Sequence, residues 1–141
     1  MRTQLASYQG QDIRAKAALS LIPDCGGSFA LTRLVGLRRA LEIALLSDVV
    51  DAKTALSLGL VNRVVPDEEL RPATLQLAQR LKSGPHRSFG STKRLLRQSW
   101  SKTLPEQLSD EMKDFAALSG AADFQEGIDA FYEKRAPRFT D

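Results

Sequence analysis

The sequence predicts a mainly α-helical domain with a few short strands, and three observations carry that prediction. Apolar residues recur at helical spacing, as in Leu37, Leu41, Ala44 and Leu45 and again in Phe124, Ile128 and Phe131. Start and stop residues bracket such stretches, with Asp51 and Gly59 around one and Thr103 and Gly120 around another. The β-branched runs, Asp48-Val49-Val50 and Leu60-Val61-Asn62-Arg63-Val64-Val65, are too short for more than minor strands.

Taken in order, residues 1–11 show no periodicity and read as a tail or edge segment. The run Ala17-Ala18-Leu19-Ser20-Leu21-Ile22 has a length that fits strand and helix alike, and Pro23 ends it. Pro23-Asp24-Cys25-Gly26-Gly27-Ser28 is a turn, because proline and paired glycines punctuate the backbone. Helices are expected over residues 28–35, stopped at Gly36, and over 37–46. Another is expected over 52–58, capped by Asp51 and ended by Gly59. Pro66 is placed to open a helix through Leu70, Leu77, Ala78 and Leu81 to Gly84, and Pro85 opens the next, to about Trp100. Thr103-Leu104-Pro105-Glu106 fits a capping box, in which Thr and Glu each satisfy an orphan backbone N–H, and that helix runs to about Gly120. A last helix is expected over residues 123–135, with Phe124, Ile128 and Phe131 on one side. Trp100 and the phenylalanines are expected in the core. Short helices with broad apolar faces need a cover, either a partner subunit or a second half of the fold.

Composition sets outer limits. The 141 residues make about one domain, 43% apolar and 26% charged, which is globular composition. No apolar run approaches the ~20 residues of a membrane helix, and the Met1-Arg2-Thr3-Gln4 start lacks a signal-peptide core. A soluble, cytoplasmic protein with no membrane partner is the expectation. One cysteine, Cys25, and one histidine, His86, leave no disulfide framework and no metal site to expect. The net charge of +3 is spread along the chain except at Lys134, Arg135 and Arg138. That cluster fits a helix C-terminus or a phosphate, and the overall bias is too small to expect nucleic acid.

Few residues offer chemistry. Asp24 reads either as a turn or capping aspartate or as a general acid/base whose pKa an apolar pocket raises. Gly26-Gly27-Ser28 reads as a tight turn or as backbone N–H donors for an anion. Cys25 is expected as a buried thiol and His86 as a surface or capping residue.

Leu21-Ile22-Pro23-Asp24-Cys25-Gly26-Gly27-Ser28 resembles the crotonase (enoyl-CoA hydratase/isomerase) superfamily. The resemblance continues in the family's order through Leu34-Val35-Gly36, the stretch from Ala55 to Val65, Thr92-Lys93, and Glu126-Gly127-Ile128-Asp129-Ala130-Phe131 with the residues following it to Phe139. It implies that residues 15–141 are a single crotonase-like C-terminal region that includes the helical trimerisation part, and that residues 1–14 are a tail or edge segment without a clear family match. The family's oxyanion hole and one of its two hydratase glutamates belong to the other half. The slot of the second glutamate holds Lys16, which turns the expectation from hydration towards isomerisation.

In the branch with an Ile-Pro-Asp-Cys-Gly-Gly form, the aspartate moves a proton on the acyl chain, and Asp24 stands at that position. Phe131 and Lys134 stand where family members meet the CoA adenine and phosphate, and i, i+3 helical spacing is expected to put them on one face. The resemblance thus implies an acyl-CoA substrate of fatty-acyl type, no cofactor beyond that CoA moiety, and a homo-oligomer, trimeric or hexameric. Catalysis by this chain alone is not expected without the oxyanion half. The other reading is a non-catalytic helical oligomerisation module.

Overall fold

The computed structural model describes residues 5–7 and 22–140. In chain order they form β1 (Leu5–Ser7), α1 (Gly27–Val35), α2 (Leu37–Leu46), α3 (Ala52–Ser57), β2 (Arg63–Val65), α4 (Asp67–Lys82), α5 (His86–Gln98), a 3-10 turn (Ser99–Ser101), α6 (Leu104–Ser119) and α7 (Ala122–Tyr132). The structure is mostly helical with little strand. It divides into two compact units, with the boundary inside α4 between Leu75 and Gln76. Most of the apolar run before Pro23, with Lys16, lies outside the described residues.

In the first unit β1 and β2 pair in parallel, with Leu5 opposite Arg63, Ala6 opposite Val64 and Ser7 opposite Val65. The expected extended stretches shrink accordingly. Residues 60–65 keep only Arg63–Val65 as strand, and 48–50 keep a single bridging residue, Val50. A strand exists only where a neighbour's N–H and C=O groups line up, and β-branching does not supply that neighbour.

Local chemistry explains the core of this unit. The Asp51 carboxylate accepts the Thr54 N–H at 2.7 Å and so caps α3. Gly59 follows the helix at φ +71°, a left-handed conformation that glycine adopts without a Cβ penalty. The Leu60 N–H then reaches the Ala55 carbonyl at 2.9 Å, and the Gly59 N–H reaches Leu56 at 3.0 Å. This Schellman turn sends the chain back over its own helix. Val50, Ala55 and Val61 are thereby buried, with Ile43, Leu58, Leu60 and Val64 packed around them.

Helix α4 starts with Asp67, Glu68 and Glu69 and ends with Arg80 and Lys82, matching the helix dipole at both ends. Pro66 stands just before this helix rather than in its first turn, and Pro72 sits inside it, where its missing N–H leaves the Glu68 carbonyl without the usual helical donor. His86 opens α5 and its Nε2 donates to the Lys82 carbonyl at 2.9 Å, closing the end of α4. The capping box forms at α6: the Glu106 carboxylate accepts from the Thr103 N–H at 2.8 Å and its hydroxyl at 2.7 Å. Those bonds hold the Glu106 carboxyl below its ordinary pKa.

Arg94 pairs with Asp114 and Lys102 with Asp110, tying α6 to α5 and the turn after it. With its polar face so engaged, α6 leaves Leu104, Leu108, Met112 and Phe115 exposed, each by more than half. Trp100, Phe29, Phe115 and Phe131 are exposed too, which corrects the expectation of an aromatic core. The buried apolar residues among those described are small: Ala40, Val50, Ala55, Val61 and Ala130. No described helix is long and apolar enough to cross a membrane.

Gly59→Ala is expected to lower unfolding stability by about 1 kcal/mol, because alanine resists the left-handed conformation. Urea titration of the two proteins checks this, and equal midpoints would remove the turn from the account.

Candidate functional site

Asp24 lies in a two-residue turn that launches α1. Its carbonyl accepts the Gly27 N–H at 2.7 Å, and the chain between them is left-handed twice, at Cys25 (φ 51°) and Gly26 (φ 80°). Glycine suits that conformation, whereas cysteine bears a cost for it. A strained residue of this kind is held only where its surroundings over-determine it, and such residues gather at functional positions. The thiol is exposed, not buried as expected, because the turn carries Cys25 away from the helix it starts. Asp24 is exposed as well, so the described residues build no apolar enclosure around it. The Gly27 amide is already spent inside the turn, which leaves the Gly26-Gly27-Ser28 segment serving the turn.

The second group of candidates closes α7. Helix α7 ends at Tyr132, not at Arg135, and Lys134 follows at φ 55°. The Arg135 N–H reaches the Ala130 carbonyl at 3.1 Å and the Lys134 N–H reaches Phe131 at 3.3 Å. This is a Schellman ending with lysine where glycine is favoured. The expected helical i, i+3 face for Phe131 and Lys134 is therefore corrected: the chain has left the helix before Lys134. Phe131 is 76% exposed and packs edge-on against Tyr132, with ring centroids 5.7 Å apart. Among the described residues the Lys134 ammonium has no ion-pair partner, so an exposed aromatic face and a lone cation stand three residues apart.

The rest of the basic cluster is engaged. Arg135 grips the Glu126 carboxylate through both terminal nitrogens, at 2.5 and 2.9 Å, and its Nε reaches Glu133 at 2.5 Å. Glu126 also accepts the Arg138 backbone N–H at 2.7 Å. One turn earlier on α7, the Asp123 Oδ1 accepts the Thr140 N–H at 3.0 Å. The tail is thus strapped along α7 by two carboxylates. The Arg135 side chain, then the Arg138 N–H, hold the Glu126 carboxyl down to about 2, and the same pairing raises the Arg135 pKa.

With these groups placed, comparison with known proteins decides the family. Residues 7–141 match the enoyl-CoA hydratase/isomerase family model. The chain belongs to the enoyl-CoA hydratase/isomerase family. Among its relatives, the 1,2-epoxyphenylacetyl-CoA isomerase of Escherichia coli K12 is 38% identical over 137 residues, which are 96% of this chain and 52% of the relative. The trans-2-decenoyl-(acyl-carrier-protein) isomerase of Streptococcus mutans is 35% identical over 136 residues, again 96% and 52%. An enoyl-CoA hydratase subunit structure from Geobacillus kaustophilus superposes with a TM-score of 0.89 at 36% identity, covering 96% of this chain and 53% of that one. The enoyl-CoA hydratase structure from Bacillus anthracis gives 0.90 at 27% identity, with 97% and 53% covered. The chain spans about half the length of the relatives it matches.

Asp24 belongs to the first unit of this crotonase-type structure, and Phe131 and Lys134 to the second. Sequence reasoning overlooked the strap. The signal was a pair of acids one helical turn apart, Asp123 and Glu126, followed by a non-helical tail of matching length.

Two outcomes follow from this geometry. Lys134→Gly is expected to raise stability by about 1 kcal/mol while deleting the cation, read from thermal unfolding. A depressed carboxylate contributes stability above its unfolded pKa and loses it as pH falls through the folded one. The Arg138 amide should therefore keep its exchange protection above about pH 4.5 and lose it progressively towards pH 2. In Glu126→Gln that pH dependence should vanish; if protection in wild type is flat over this range, the strap is not held by Glu126.

Proposed function

We propose that this chain is the isomerase-type, acyl-CoA-binding half of a crotonase site, with Asp24 as its proton-transferring carboxylate. The observation that carries the reading is the strained turn that holds Asp24 exposed beside left-handed Cys25 at the head of α1. The isomerase names of two relatives point the same way. In this mechanism the Asp24 carboxylate takes a proton from the α-carbon of a 3-enoyl thioester. The electron pair moves into the thioester carbonyl as a dienolate, and the proton returns to the γ-carbon to give the 2-enoyl product. No water is consumed, in keeping with Lys16 at the hydratase glutamate slot. The dienolate oxygen needs preorganised N–H donors, commonly contributing several kcal/mol. By the family resemblance these lie in the half that this chain does not match.

Phe131 would pack on the adenine and Lys134 would pair with a CoA phosphate. Lysine at the left-handed end of α7 supports this role, since a residue chosen for stability there would be glycine. The family resemblance implies a cytoplasmic homo-oligomer, trimeric or hexameric, and the exposed stripe of Leu104, Leu108, Met112 and Phe115 is an apolar face that such an assembly, or the other half of the fold, would cover.

A second reading, a non-catalytic assembly module, draws on the same exposed faces. Titration with a medium-chain acyl-CoA separates the two. Saturable binding, weakened about tenfold in Lys134→Ala, is expected of the chain itself; 3-enoyl-CoA turnover, reduced about 10²–10⁴-fold in Asp24→Asn, is expected where the oxyanion half is also present. No binding at millimolar ligand leaves the module. Wild-type turnover in Asp24→Asn removes Asp24 from the mechanism.

A further inference from the structure

Lys134, the cation assigned above to a CoA phosphate, stands among acids. From the start of α7 onward, four carboxylates precede it: Asp123, Glu126, Asp129 and Glu133. Each has a partner other than the lysine. Thr140 takes Asp123, the Gln125 side-chain amide donates to Asp129 at 2.8 Å, and Arg135 takes the other two. All three guanidinium nitrogens are committed, Nη1 and Nη2 to Glu126 and Nε to Glu133. The Arg135 N–H meanwhile reaches the Ala130 carbonyl, so backbone and side chain both turn back to α7 and leave Lys134 at an exposed corner.

Glu133 is the acid that matters most. It adjoins Lys134, its side chain is 61% exposed, and a single Arg135 nitrogen holds its carboxylate. Glu126, by contrast, has the Arg138 N–H as a further donor. An ammonium already paired with a carboxylate must give up that pair to take a phosphate, so a released neighbouring acid competes with the ligand. Arginine suits the restraining role because its planar fork engages two carboxylates at once.

We propose that Arg135 is a positioning residue for acyl-CoA: it holds the Glu133 carboxylate away from Lys134 and so keeps that ammonium open to a phosphate. The inference rests on the acyl-CoA reading of Phe131 and Lys134, and adds to it a residue that touches no ligand.

Calorimetric titration of the full chain with octanoyl-CoA tests it. Arg135 lies at the surface, outside the buried apolar residues, so its replacement leaves the helices standing. Arg135→Gln is expected to weaken binding about three- to fivefold, the strength of one exposed ion pair. Adding Glu133→Gln to that variant is expected to restore the affinity, whereas Glu133→Gln alone should change it less than about twofold. A turn that simply came apart without Arg135 would not be repaired by removing an acid, so failure of the rescue overturns the proposal. An equal gain from Glu133→Gln in both backgrounds is diffuse charge and overturns it too, as does wild-type affinity in Arg135→Gln. Lys134→Ala separates the underlying reading. If that variant binds as tightly as wild type, or if wild type does not bind, the acyl-CoA reading falls and this inference with it. If Lys134→Ala is weakened and Arg135→Gln is not, this inference falls alone.

Discussion

Burying a leucine or phenylalanine stabilises a fold by roughly 1.5–3 kcal/mol, and most of the large apolar side chains among the described residues are unburied. Its own core is built from small residues around Ala55 and from Ala130. The constraint reaches every level of the structure. The polar face of α6 is committed to α5 through Arg94–Asp114 and Lys102–Asp110, and the apolar face points out. A two-stranded parallel sheet obeys the same constraint, because parallel strands are ordinarily buried on both faces and a pair alone is marginal. In the relatives about twice as long, the same half-fold is joined to as much chain again.

Against that background, local hydrogen bonding sets what each short helix does. Asp51, Glu106 and the glycine after α3 fix helix ends without help from distant residues. The candidate positions depart from this economy. Cys25 and Lys134 both adopt left-handed conformations that glycine would fill at lower cost. Ser47 at the end of α2 does the same away from any candidate group, whereas Cys25 adjoins Asp24 and Lys134 lies three residues after Phe131.

What the sequence made legible is what short-range physics decides. The caps at Asp51, Thr103 and Gly59, and the helices between them, follow from residues within one turn of each other. The family, too, was legible, because the motif around Asp24 and the segment from Glu126 are read in order along the chain. The exposure of Trp100 and Phe115 was not, since aromatic residues signal burial without saying which molecule does the burying. Nor was the end of α7: a lysine at C′ resembles a continuing helix until its φ is known. Val64 and Val65 carry strand propensity, yet their pairing depends on β1, more than fifty residues away.

The strap along α7 places an unusual rule on the tail. Glu126 and Asp123 recognise main-chain N–H groups at positions 138 and 140, with only a long 3.4 Å contact to the Thr140 hydroxyl and the charge of Arg138 added, so they chiefly measure spacing. Drift in those side chains is tolerated, whereas a one-residue insertion between them would shift the ruler out of step. Proline is the one substitution that such a ruler rejects at either position, and the chain places its own proline at 137, where no donor is asked for.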